Sequence, residues 1–106
     1  MLNSSEIRFS SLSDLSEMLS AGKASSEEIT KAFLDLAEKE NKNIGAFLTI
    51  SAEQAIASAK ESDKRRSSGA PLSRFDGIPI ALKDIFVTKG IRTTCSSKIL
   101  ENYIPP

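Results

Sequence analysis

Apolar residues recur at helical spacing in three segments of the chain. Each segment opens with a serine followed three residues later by an acid or an amide, a pair that can cap the first helical turn reciprocally. We therefore predict helices over about residues 11–20, 26–40 and 52–67, each with one apolar face directed toward a core. The capping pairs are Ser11 with Asp14, Ser25 with Glu28, and Ser51 with Gln54.

Two shorter apolar runs predict β-strands over about residues 46–50 and 78–82. The first run reads Ala-Phe-Leu-Thr-Ile, the second reads Ile-Pro-Ile-Ala-Leu, and a glycine precedes each. Pro79 cannot donate a hydrogen bond to a neighbouring strand, so it belongs near the beginning of its own strand. Strand, helix and strand in this order predict an α/β fold, with a crossover helix between two buried strands.

These elements predict only the beginning of a larger domain. Two strands alone leave unpaired edges and an apolar surface that nothing covers. We therefore expect residues 1–106 to form the N-terminal portion of a single domain that is incomplete in this chain.

The composition argues against several classes of function. Lys plus Arg and Asp plus Glu each number 14, so the chain as a whole has no charge bias toward nucleic acid or an anionic membrane. No histidine is present, which excludes histidine-dependent catalytic dyads and removes the commonest metal ligand. The single cysteine, Cys95, allows no intrachain disulfide, and polar residues interrupt the N-terminus too early for a signal peptide. We expect a cytoplasmic protein without membrane association.

Lys83 is the main candidate for chemistry, because it follows the predicted strand 78–82 directly. Sites in α/β proteins are usually built at the carboxyl ends of strands. Burial of a lysine amine disfavours its charged form, and a general base must be neutral. Asp84 would oppose this if it contacted the amine. From the pattern alone, Lys-Asp after a strand is more typical of a solvated turn.

A resemblance to a known family changes this balance. Residues 75–84, Phe-Asp-Gly-Ile-Pro-Ile-Ala-Leu-Lys-Asp, resemble the Gly-x-Pro-x-x-x-Lys-Asp element of the amidase-signature family. Residues 88–106, which begin Thr-Lys-Gly-Ile-Arg-Thr-Thr-Cys, are similar in particular to the glutamyl-tRNA(Gln) amidotransferase A-subunit branch of that family. The resemblance covers the whole chain and is most specific over residues 75–106. It implies helices packed on a mixed central sheet.

The resemblance implies a catalytic role for Lys83. Members of the family use a triad of Lys, cis-Ser and Ser, in which the lysine exchanges protons with the nucleophile through the bridging serine. Both family serines lie in Gly- and Ser-rich segments that residues 1–106 lack, so we expect this chain alone to be inactive. The family usually has a polar residue after Lys-Asp, commonly Asn, whereas Ile85 and Phe86 follow here.

The resemblance also implies a reaction and its partners. The intact subunit would act in protein biosynthesis by releasing ammonia from glutamine through an acyl-enzyme. A B subunit would use this ammonia, with ATP and Mg²⁺, to convert Glu-tRNA(Gln) to Gln-tRNA(Gln), and a small C subunit would clamp the complex. We expect no cofactor or metal in this chain, and tRNA contacts mainly through the partner subunit.

Two other functions stay open at this point. The chain could belong to an amidase-signature hydrolase that acts on another amide, or it could be a non-catalytic helical module whose apolar faces dock a partner. Ser96 and Ser97 lack the flanking glycines that the family's serine loop needs, and Cys95 has neither a histidine nor a helix start beside it. We interpret these three residues as parts of an ordinary loop.

Overall fold

Helices provide the regular structure of residues 2–106, the part of the chain that the computed structural model describes. Loops and turns occupy the remaining described residues, including most of the segment 68–106. None of the described helices is long and apolar enough to cross a membrane. The helices are α1 (Ser4–Ile7), α2 (Leu12–Ser20), α3 (Ser26–Ile44), α4 (Ala52–Ser67) and a short 3-10 helix (Lys98–Leu100).

The helix starts at Ser11 and Ser25 form as the sequence predicts. The Ser11 hydroxyl accepts the Asp14 N–H at 3.1 Å while the Asp14 carboxylate accepts the Ser11 N–H at 2.8 Å. Ser25 and Glu28 form the same reciprocal pair, at 3.1 and 2.9 Å. Helix α3 continues four residues past the predicted end at residue 40.

The capping pair predicted for α4 is wrong. Ser51 precedes the helix, but its backbone (φ −88°, ψ 60°) lies outside the extended region that the other two capping serines adopt, and its side chain makes no capping bond. The Gln54 amide donates instead to the Gly90 carbonyl at 3.4 Å. The sequence also did not predict α1, which Asn3 caps by accepting the Ser5 N–H at 2.9 Å.

A small core forms where α1, α2 and the beginning of α3 meet. Ile29 is fully buried at its centre, and α3 also packs against α4. Ile78 reaches this core from the loop that follows α4. The other core residues are Ile7, Leu15, Leu19, Ala24 and Ala32.

The two predicted β-strands do not form, so the α/β sheet is not a feature of residues 2–106. The only β-bridge there joins Thr88 to Ile91. In the segment 46–50, the backbone of Phe47 bonds to the Asn41 side chain instead of to another strand. A strand exists only where a second strand pairs with it, and neither run meets one among the described residues.

Candidate catalytic lysine and its surroundings

The segment that leads to Lys83 begins at a close crossing of Gly77 with α3 and α4. The Ser26 hydroxyl donates to the Gly77 carbonyl at 2.6 Å. A Cβ atom at position 77 would lie 2.5 Å from the Ser62 hydroxyl oxygen and 2.8 Å from that of Ser26. Gly77 also has φ +97°, a conformation that side chains disfavour. This crossing therefore requires glycine for both space and backbone geometry.

Asp76, the residue before this crossing, is held by the end of α4. Arg65 donates two hydrogen bonds of 2.8 Å to the Asp76 carboxylate, whose side chain is only 6% exposed. Arg66 donates to the Asp76 carbonyl at 2.7 Å. The hydrogen bonds from Arg65 hold the pKa of Asp76 well below its ordinary range, although burial opposes the shift. The basic residues that end α4 thus bind the loop before the lysine segment.

A second carboxylate joins α4 to the beginning of α3. Asp63 accepts the backbone N–H groups of Ser26 at 2.7 Å and Glu27 at 3.0 Å. These are two of the donors that the first turn of a helix leaves without intrahelical partners. The contact fixes α3 and α4 relative to each other at the place where Gly77 crosses them.

Beyond this anchor, the chain to Lys83 has little support. No hydrogen bond involves residues 79–82 within the described part of the chain. Lys83 is exposed, and its amine has no ion pair or hydrogen bond among residues 2–106. The Lys83 carbonyl accepts the Phe86 N–H at 3.1 Å, so a turn follows where the sequence predicts the end of a buried strand. Within residues 2–106, the structure brings no serine to the amine.

Asp84 binds a second loop instead of the lysine beside it. Its carboxylate accepts the Thr94 N–H at 2.8 Å, the Thr94 hydroxyl, and the Ser96 N–H at 3.5 Å. The Asp84 carbonyl accepts the Cys95 N–H at 2.9 Å. The hydrogen bonds from Thr94 lower the pKa of Asp84. Asp84 therefore does not neutralise Lys83.

The loop that receives Asp84 has an unusual backbone. Cys95 and Ser96 have φ angles of 51° and 58°, in the left-handed region that costs residues other than glycine about 1–3 kcal/mol each. Thr94, at the base of this turn, is buried. Ser97 caps the 3-10 helix by accepting the Ile99 N–H at 3.3 Å, and Cys95 is exposed with a free thiol. Ser96 and Ser97 thus serve a turn, as their sequence context indicates.

Large apolar side chains flank Lys83 on both sides along the chain and are exposed to solvent. Ile80 is 78% exposed and Leu82 is 53% exposed. Contiguous exposed apolar surface of this kind is typical of interaction sites. The same exposure continues after the lysine at Ile85, Phe86 and Val87.

Comparison with known proteins identifies the family. The sequence model of the Amidase family matches residues 28–106, most of the chain. The chain belongs to the Amidase family. The resemblance seen around Lys83 in the sequence is therefore confirmed.

Curated relatives of this Amidase chain share one name, that of the glutamyl-tRNA(Gln) amidotransferase A-subunit. The protein of Geobacter sp. (strain M21) is 50% identical over 95 residues, which are 88% of this chain and 19% of that protein. The protein of Myxococcus xanthus (strain DK1622) is 47% identical over 93 residues, 88% of this chain and 19% of the relative. That of Trichlorobacter lovleyi is 46% identical over 103 residues, 95% and 21% of the two chains. The chain thus spans about a fifth of the length of these relatives.

Several contacts in this Amidase chain carry no signal in the sequence. The bond of Asp84 to Thr94 spans ten residues of irregular loop, and that of Asp63 to the beginning of α3 spans 37 residues. Neither follows a periodic pattern or a capping motif. The Gly-x-Pro element did place Gly77 as a special residue, although the motif alone does not reveal its contact with two buried serines. The described residues contain no cluster of three or more residues suited to hold a metal ion.

Proposed function

We propose that this chain is the lysine-bearing part of a glutamyl-tRNA(Gln) amidotransferase A-subunit. The observation that carries the proposal is the 50% identity to the Geobacter protein of that name over 88% of the chain. The intact subunit, meaning a polypeptide that joins this sequence to the remaining part of such a relative, would release ammonia from glutamine.

In the proposed mechanism, Lys83 acts as the terminal proton acceptor of a Ser-cisSer-Lys triad. The nucleophilic serine attacks the glutamine amide carbonyl, and its proton passes through the bridging serine to the neutral amine of Lys83. The tetrahedral intermediate then collapses: the carbon–nitrogen bond breaks, and the proton returns from Lys83 to the departing nitrogen, which leaves as ammonia. Water hydrolyses the acyl-enzyme by the same proton route, giving glutamate. The intact subunit supplies both serines from outside this chain.

The surroundings of Lys83 support this role. The amine is not neutralised by Asp84, whose carboxylate is occupied by the 94–96 turn. Exposed apolar side chains at Ile80, Leu82 and Ile85 lie along the chain on both sides of the lysine. If the rest of the domain covers them, the amine loses water together with its neighbours. Loss of water favours the neutral amine that a proton acceptor requires.

The unpaired segments also support a larger domain. Residues 79–82 make no hydrogen bonds among the described residues, and backbone groups that are buried must find partners. We propose that the runs 46–50 and 78–82 pair with strands from the remaining part of the intact subunit, within one mixed sheet covered by helices. Residues 1–106 then form the N-terminal portion of that single domain.

The proposal extends to the partners of the complex. A B subunit would bind ATP and Mg²⁺ and transfer the ammonia to Glu-tRNA(Gln), a C subunit would stabilise the assembly, and the reaction would take place in the cytoplasm. The name shared by the curated relatives supports an enzyme of several subunits that acts on this tRNA.

Two alternatives make different predictions. Membership of the Amidase family also fits a hydrolase of another amide. The exposed apolar side chains fit a helical interaction module as well, but a module must fold by itself. Substrate tests separate the first alternative from the proposal, and unfolding of the isolated chain separates the second.

The test is a chimeric subunit in which this sequence replaces its aligned residues in the Geobacter relative. Together with Geobacter B and C subunits, the chimeric subunit should release ammonia from glutamine and form Gln-tRNA(Gln) with ATP and Mg²⁺. The unmodified Geobacter protein is the matched control. Hydrolysis of simple amides without glutamine turnover would favour the other hydrolase. A folded chimeric subunit without any amide hydrolysis would contradict the proposed function.

A further inference from the structure

We propose that Asp84 is a positioning residue, which fixes the backbone carrying Lys83 by binding the turn at residues 94–96. This inference rests on the proposed function, because it concerns the same lysine. It assigns to the carboxylate a task distinct from chemistry, since Asp84 contacts neither the lysine amine nor any other candidate for catalysis within residues 2–106.

Two groups of Asp84 attach to the same turn. The carboxylate accepts hydrogen bonds from the N–H and the hydroxyl of Thr94, and the backbone carbonyl accepts the Cys95 N–H at 2.9 Å. Contacts from both side chain and backbone restrict the residue more than either alone. The position of the peptide that joins Lys83 to Asp84 is thereby set.

The turn has the geometry of an anion-binding concavity. Cys95 and Ser96 are both left-handed, and the N–H groups of Thr94 and Ser96 converge on the Asp84 carboxylate. Successive backbone N–H groups in such conformations form concave sites for negative charge. Thr93 and Thr94, which are buried, hold the base of this turn. The strained backbone is therefore matched to the carboxylate that it binds.

The lysine segment is held at both ends and free between them. At one end, Gly77 is fixed to Ser26 by a hydrogen bond of 2.6 Å. At the other end, Asp84 is fixed to the 94–96 turn. Residues 79–82 make no hydrogen bonds among the described residues. Loss of the Asp84 contact would leave Lys83 with one distant anchor, and a small displacement of a catalytic group strongly slows a reaction.

The test compares variants of the chimeric subunit by steady-state glutamine hydrolysis and by hydrogen exchange at residues 93–97. Asp84→Ala should lower kcat by about 10- to 100-fold while KM changes less than about twofold. It should also accelerate exchange at residues 93–97. Thr94→Val, which lacks the hydroxyl, should act in the same direction, and Thr94→Ser should restore both readouts. Because the two residues act through one contact, the double variant Asp84→Ala/Thr94→Val should resemble Asp84→Ala alone.

Asp63→Asn is the control for general loss of stability, since it weakens the joint between α3 and α4 without touching the turn. It should leave exchange at residues 93–97 unchanged. Unchanged exchange in Asp84→Ala would overturn the anchor. Faster exchange with an unaltered kcat would overturn the positioning role. A chimeric subunit that is inactive even with Asp84 in place would refute the proposed function and, with it, the role in catalysis, whereas the exchange data would still judge the anchor.

Discussion

Gly77 and Asp76 determine how the chain leaves the helices and approaches Lys83. Gly77 fits between two buried serines, and Asp76 receives the guanidinium of Arg65. Both residues belong to the Phe-Asp-Gly stretch that precedes the predicted strand. Their importance comes from contacts with helices, which differ in position along the sequence from the loop itself.

Gly77→Ala should destabilise the fold by about 2–4 kcal/mol, because the added Cβ meets both serines and φ +97° becomes strained. Gly69→Ala is the matched control. Gly69 also has a positive φ, of 74°, but no atom lies within 4 Å of the position of its Cβ. Urea unfolding of the chimeric subunit measures both changes. Equal losses of unfolding free energy in the two variants would contradict the proposed close crossing.

Asp76→Asn should lower the free energy of unfolding by about 1–2 kcal/mol at neutral pH, since it removes the charged partner of a half-exposed Arg65. The pKa of Asp76 is lowered in the folded protein, so its ionised form stabilises the fold above the ordinary pKa of about 3.9. This stabilisation is lost as the pH falls below that value. The difference between wild type and variant should therefore shrink in urea unfolding below about pH 4. A difference independent of pH would contradict the assignment.

The helices were the most predictable elements, because their signals are local. Apolar spacing and the Ser11 and Ser25 capping pairs lie within a few residues of the structure that they specify. The start of α4 shows the limit: Ser51 and Gln54 have suitable chemistry and spacing, but Ser51 has the wrong backbone conformation for a capping box. The runs 46–50 and 78–82 were mispredicted because strand formation depends on a distant partner that local sequence does not supply.

Capping variants test this difference between the helices. Ser25→Ala should cost about 1 kcal/mol, because it removes the acceptor for the Glu28 N–H. Ser51→Ala should cost nearly nothing, because the Ser51 side chain makes no capping bond. Urea unfolding of the two variants of the chimeric subunit measures the contrast. Similar costs for both would contradict the observed cap geometry.

The molecule as a whole is less compact than an independent domain of its length. Its radius of gyration is 14.8 Å, whereas compact domains of this length have a value of about 13 Å. Many large apolar side chains are exposed, among them Ile80 at 78% and Ile99 at 94%. The family and the candidate lysine were predictable from the motif at residues 75–84, but the exposure of that lysine was not. Burial of Lys83 depends on residues from outside this chain.

The isolated 106-residue chain should therefore unfold with little cooperativity and release no ammonia from glutamine. Its apolar surface lacks the cover that a stable core requires. Circular dichroism during heating measures this, and the chimeric subunit serves for comparison. A sharp, reversible transition of a monomer would favour the independent interaction module instead.

Loss of activity on replacement of Lys83 is the decisive measurement. In the chimeric subunit, Lys83→Ala should lower the rate of glutamine hydrolysis by about 10²- to 10⁴-fold, the usual contribution of a positioned acid–base group. Its unfolding transition should stay near that of the wild type because the side chain has no contacts to lose among residues 2–106. Lys89→Ala, which removes another exposed lysine, should keep the wild-type rate. If Lys83→Ala also hydrolyses glutamine at the wild-type rate, Lys83 is not the proton acceptor.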